Sequence, residues 1–130
     1  MVSHNIRFEI DAEVGGGQLG ALWNSVWSET RSDFDDVLER GLAYVCAFDG
    51  ETLVGFVNVA WDGGAHAFIV DTSVHPQYRR QGIATAMVKF GRDAAREQGA
   101  KWLHVDFEPQ YAALYLRCGF RETAAGVLAL

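Results

Sequence analysis

Between Ala65 and Phe107 the hydrophobic rhythm changes twice, and that succession constrains the fold more than any other feature of the chain. "AHAFIVDTSV" runs with a strand's period of two as far as Val74. From Gly82 to Gln98, "GIATAMVKFGRDAAREQ" sets Ile83, Met87, Phe90, Ala94 and Ala95 on one side, with Lys89, Arg92, Asp93 and Arg96 largely elsewhere. "KWLHVDF" then returns to a period of two, with Leu103, Val105 and Phe107 on one face and Trp102, His104 and Asp106 on the other. A strand, a helix of about 25 Å capped at Gly99, and a second strand make a right-handed crossover. The strands around residues 70 and 104 are therefore expected side by side and locally parallel.

The other elements fit around this unit. "IRFEID", residues 6–11, alternates as a half-buried first strand. Leu19, Leu22, Trp23, Val26 and Trp27 recur at helical spacing, and a shorter helix covers Phe34, Val37 and Leu38, with Asp33 as its N-cap. "AYVCAF", a turn at "DGE" and "TLVGFVNVAW" read as a hairpin, and a turn at "DGG" leads into the strand at 65–74. A last helix spans Tyr111 to Cys118 and stops at Gly119, and the tail 120–130 supplies one more strand. The order β, α, α, β, β, β, α, β, α, β predicts helices layered on a mixed sheet in a single domain over residues 1–130.

Composition removes several classes of function. A net charge of -6 argues against nucleic acid as the main partner, because phosphate neutralisation needs a basic surface. No run approaches a membrane span and the N-terminus lacks a signal-like apolar core, so the expectation is a cytoplasmic protein. Cys46 and Cys118 form no CxxC pair and read as buried thiols. His104 and Asp106 stand two apart with no third ligand forced near them, so no metal site is expected.

The junction between the strand and the long helix reads "VHPQYRRQGIA", Val74 to Ala84. A turn requires only glycine or proline, so the two arginines ask for a second reason. The first N–H groups of a helix lack partners and the helix dipole favours negative charge there. Gly82 lets an anion approach the backbone, Ala84 avoids crowding it, and Arg79 and Arg80 add fork-shaped donors. The segment is neither a Walker loop, which needs a lysine and a following hydroxyl, nor a Rossmann fingerprint.

The same segment, with its Arg79-Arg80-Gln81-Gly82-Ile83-Ala84, resembles the Q/R-x-x-G-x-G/A acyl-CoA-binding segment of the GNAT superfamily of N-acetyltransferases. "AALYLRCGF", residues 112–120, is similar to that family's tyrosine helix ending in Gly-Phe, and the element order agrees from Ile6 to about Phe120. The resemblance implies a mostly antiparallel mixed sheet of six to seven strands with about four helices, splayed between the fourth and fifth strands. It implies acetyl-CoA as cosubstrate, with its pyrophosphate on the backbone from Arg79 to Ala84 and its pantetheine arm along Ser73 and Val74. It implies Tyr115 as the acid beside the departing sulfur. The reaction expected is acetyl transfer to a primary amine, of a small molecule or a peptide, by direct attack in a ternary complex. "EPQY", residues 108–111, departs from the family, which often places an asparagine there.

The general base has three candidates: Asp71 before the loop, and His104 and Asp106 on the strand after it. Polar residues at His104, Asp106 and Glu108 are unexpected on a central strand that should be apolar on both faces, so one of them is expected to line a cleft. If the strand has no bulge, His66 shares the face of Phe68 and Val70 and is expected to be packed or at a rim, and His75 is expected to shape the turn before Pro76. Residues 29–39 gather Glu29, Asp33, Asp35, Asp36 and Glu39 around Arg31, either as an acidic rim for an amine or as a solvated helix face. Two alternatives stand beside the enzyme: a noncatalytic acyl-CoA-binding regulatory domain and a pure interaction domain. A homodimer through an edge strand formed by the tail is a further expectation.

Overall fold

A computed structural model describes residues 5–130, and the crossover is its centre. The elements are β1 (Ile6–Ile10), α1 (Gly16–Trp27), α2 (Phe34–Arg40), β2 (Ala43–Asp49), β3 (Thr52–Trp61), β4 (His66–Val74), α3 (Ile83–Glu97), β5 (Trp102–His104) and α4 (Ala112–Arg117). One sheet carries the strands in chain order, β1 to β5. The first four are antiparallel, and β5 joins β4 in parallel, as the crossover requires.

The two faces of the sheet bury separate cores. Ile83, Met87, Val88 and Ala95 of α3 lie against Val45, Ala47, Val57, Val59, Ala67 and Ile69. Gly91 permits this close approach, since a Cβ there would stand 3.0 Å from Val59 Cγ2. On the other face, Leu19 and Leu22 of α1 and Phe34 of α2 cover Cys46, Phe48, Leu53 and Phe56. Two expected core residues are instead about half exposed: Trp27 at 46%, and Phe90 at 41% although its ring meets Phe8 at 5.4 Å.

β4 contains a bulge that sequence alternation does not reveal. Val70 pairs with Asn58 and Ser73 with Phe56, so Asp71 and Thr72 together stand opposite Val57. Asp71 takes a left-handed conformation with φ of 61°. The extra residue exchanges the two faces of the strand. Ala67 and Ile69 lie in the α3 core, whereas Ser73 Oγ accepts a hydrogen bond from Trp27 Nε1 of α1 at 3.2 Å.

The expected six to seven strands are five among the described residues. The tail 121–130 is exposed throughout and forms no strand, because "RETAAGVLAL" lacks an alternating apolar face to bury. The edge strand on which the homodimer expectation rested is therefore not formed. β5 is an edge strand, not a central one, so its polar residues stand in water and carry no burial cost. The splay is present: pairing of β4 with β5 stops at Phe68 opposite His104, while β4 continues to Val74. Asp33 makes no capping bond, because its carboxylate is taken by Arg31 Nε at 2.6 Å.

Candidate active site

The loop after β4 is built to leave backbone donors free. His75 shapes the turn as expected: its Nδ1 accepts from the Gln77 N–H at 3.1 Å and its carbonyl from the Tyr78 N–H at 2.8 Å. Tyr78 donates its hydroxyl proton to the Asp49 carboxylate at 2.6 Å, tying the loop to β2. The chain then takes positive φ at Arg80 (65°) and Gly82 (80°) before α3 begins. Among the described residues, no main-chain or side-chain group accepts from the N–H groups of Arg79 to Ala84. Six successive donors, two arginines, the positive end of a 15-residue helix and no acidic side chain within the segment make a cradle for an anion. A pyrophosphate fits that donor set.

Arg79 and Arg80 are both exposed, and Arg79 folds back, its Nε donating to the Val74 carbonyl at 3.4 Å. Ser73 and Val74 stand at the open end of the splay. Ser73 is only 2% exposed, and its hydroxyl donates to the Asp71 carbonyl at 3.0 Å while accepting from Trp27. The side chain of Ser73 is thus committed to the protein. Val74 pairs with Gly55 of β3.

Tyr115 forms the second pole of the site. Its ring stacks on Phe107 at 5.0 Å and meets Phe120 edge-on at 5.9 Å, which leaves it 6% exposed. Its hydroxyl crosses the splay to donate to Thr72 Oγ1 at 3.2 Å. Burial pushes the Tyr115 phenol above its ordinary pKa, partly offset by the Thr72 hydrogen bond, so the group keeps its proton at neutral pH.

Asp71, next to Thr72, is held by Arg31. The guanidinium donates to Asp71 at 3.1 Å and to Asp33 at 2.6 Å, and it lies over the rings of Trp23 at 4.5 Å and Phe34 at 4.6 Å. Burial works against the charge of Arg31, but the two carboxylates outweigh it and raise the pKa. Of the acidic cluster at 29–39, only Asp33 shares Arg31 with the site; Asp35, Asp36 and Glu39 are exposed on α2.

The remaining base candidates do not join this group. His104 Nε2 lies 2.8 Å from His66 Nδ1, and its ring stacks on Phe68 at 4.9 Å, four residues along β4 from Thr72. Asp106 is exposed, with no hydrogen bond or ion pair among the described residues. Cys118 is buried, with its Sγ 3.8 Å from the Thr85 carbonyl, and burial raises its pKa. Among the described residues no cluster of three or more metal-ligating side chains occurs, and no helix is long and apolar enough to cross a membrane.

Arg31, Thr72 and Trp27 were not singled out as site residues by sequence reasoning. Only Arg31 gave a signal, as the lone cation among the acids of residues 29–39.

Comparison with known proteins agrees with this geometry. The family described as "Acetyltransferase (GNAT) family" matches residues 16–120. A mycothiol acetyltransferase of Mycobacterium marinum is 36% identical over 63 residues, which are 48% of this chain and 20% of that protein. The match thus spans only about a fifth of that curated relative. Among solved structures, the GNAT family protein SP0256 of Streptococcus pneumoniae superposes with a TM-score of 0.82 at 23% identity, covering 96% of this chain and 97% of the other. An aminoglycoside N-acetyltransferase solved in complex with CoA gives a TM-score of 0.74 at 17% identity, covering 100% and 98%.

Proposed function

The chain belongs to the acetyltransferase (GNAT) family, and on that premise we propose that it moves an acetyl group from acetyl-CoA to a primary amine by direct attack in a ternary complex. The reading treats residues 1–130 as one acyltransferase domain and takes its acceptor to be a small-molecule or peptide amine. The single observation that carries it is the run of six N–H groups from Arg79 to Ala84 that find no acceptor among the described residues.

When bound, acetyl-CoA supplies an acyl group already activated as a thioester. Everything else falls to the chain. The N–H groups of residues 79–84 bind the pyrophosphate, with Arg80 adding charge from the exposed side. The edge of β4 beyond Phe68, left without a neighbouring strand, orients the extended arm through its main-chain groups from Val70 to Val74. The N–H near Val74 is the candidate donor where negative charge develops on oxygen. Tyr115 holds the proton that the departing sulfur requires, at an atom fixed by Thr72.

Among the base candidates the reading favours Asp71, which faces the α1–α2 side one residue from Thr72 and can accept an amine N–H. Its pairing with Arg31 keeps the carboxylate oriented. His104 and Asp106 are left on the outer edge, where neither approaches that ion pair through a direct bond.

The test is calorimetric titration of acetyl-CoA into the intact protein and into Gly82→Trp, with folding of the variant verified by circular dichroism. Binding that disappears only in the variant supports the phosphate cradle. An intact protein that binds no acetyl-CoA overturns the reading.

A further inference from the structure

A groove of about 330 Å³ opens on the α2 side of β3 and β4. That volume admits a small molecule. Val37, Ala60 and Val70 give it apolar walls, and Asn58, Asp71 and Arg40 give it polar ones.

Asn58 distinguishes this groove from an ordinary surface dent. It is 2% exposed, on a central strand, and its Oδ1 has no hydrogen-bond partner among the described residues. Leaving such a group unsatisfied costs on the order of 1–3 kcal/mol, so a partner from outside the protein accounts for its retention. Gly41 keeps the space around the amide, since a Cβ there would meet Oδ1 at 2.9 Å. Arg40 is also without an ion-pair partner among the described residues, although Asp36 lies one turn earlier on the same helix.

We propose that this groove selects the acceptor, and that the acceptor is a free amino acid with an apolar side chain. The inference rests on the acetyl-transfer reading for its chemistry, and the groove for its choice of substrate. A zwitterion matches the lining group by group. Its amino end meets the Asp71 carboxylate, one residue from the Thr72–Tyr115 contact. Its carboxylate takes the unpaired guanidinium of Arg40. The unpaired Asn58 Oδ1 accepts from the same ammonium, whose three N–H donors can serve it and Asp71 together. The side chain lies against Val37, Ala60 and Val70. A peptide N-terminus lacks the free carboxylate and leaves Arg40 unanswered.

Three acceptors that share a side chain test this: leucine, leucinamide and isoamylamine. With saturating acetyl-CoA, kcat/KM for leucine should exceed that for either carboxylate-free analogue by tenfold or more. In Arg40→Gln that ratio should fall towards one, and Arg40→Lys should restore part of it. A ratio near one in the natural protein, or a ratio that Arg40→Gln leaves intact, overturns the proposal. NMR titration of leucine and leucinamide into protein without acetyl-CoA reads the groove alone. Preferential binding of leucine supports the amino-acid assignment even where acetyl-CoA fails to bind, and equal binding refutes it even where acetyl transfer is real.

Discussion

Replacing Tyr115 by phenylalanine separates the catalytic role proposed for its hydroxyl from the structural role of its ring. The stacking on Phe107 and the edge contact with Phe120 survive the change, so the packing of α4 against the sheet is retained. What is lost is one neutral hydrogen bond of 3.2 Å to Thr72, about 0.5–1.5 kcal/mol and a melting temperature lower by a few degrees. A general acid contributes about 10²- to 10⁴-fold to a rate, or roughly 3–5 kcal/mol of barrier. The expected signature is therefore a large fall in kcat with acetyl-CoA binding little changed and a small loss of stability. Chromatographic measurement of CoA release gives the first quantity, calorimetry the second and thermal unfolding the third.

The pH profile adds a readout that packing alone does not move. Burial raises the phenol's pKa, so kcat should hold on the alkaline side to beyond the ordinary tyrosine value of about 10 before falling, and Tyr115→Phe should lose that limb. The stability sign agrees. A phenol whose folded pKa lies above its unfolded one stabilises the fold below about pH 10, and that contribution is lost as pH rises through the raised value. A Tyr115→Phe protein within tenfold of the natural kcat would refute the assignment of Tyr115 as the general acid, whereas a natural protein that binds acetyl-CoA without turnover would favour a noncatalytic acyl-CoA-binding domain.

Two further outcomes follow from the cores. Gly91→Val should destabilise the protein by about 1–3 kcal/mol in urea unfolding, because its methyl groups enter a space where even a Cβ sits 3.0 Å from Val59; an unchanged midpoint would show that α3 stands further from the sheet. Cys46 is fully buried with its pKa pushed up to about 12, and Cys118 is 3% exposed. A thiol reagent at pH 8 should therefore titrate neither in the native state and both after denaturation, and rapid native reaction of either would contradict its burial.

Much of this molecule was legible because its signals are local. The period change at Gly82 marked α3 to within a residue, and the glycine and arginines at the strand–helix junction marked the loop whose N–H groups find no acceptor among the described residues. Tyr115 was legible only through its resemblance to a family helix. Its hydroxyl bonds to Thr72, which lies 43 positions away in sequence. Arg31 could be seen as a cation among acids but not as the partner of Asp71, because that pair needs the bulge in β4. The polar face of His104 and Asp106 misled for a related reason: a central and an edge strand look alike in alternation, and only the missing sixth strand distinguishes them.

The bulge has a consequence for how this strand tolerates changes in length. A strand is a two-phase object, and inserting or deleting one residue normally transposes everything downstream between wet and dry sides. β4 already contains that transposition, at Asp71 and Thr72. Removing one of the two would restore strict alternation and leave the composition almost untouched. The paired positions on both sides would keep their faces, Val70 opposite Asn58 and Ser73 opposite Phe56, while the single residue left opposite Val57 could not serve both Arg31 and Tyr115. The functional information at this point is carried by a count of residues, and a shift of one in that count would unmake the site while sparing the sheet.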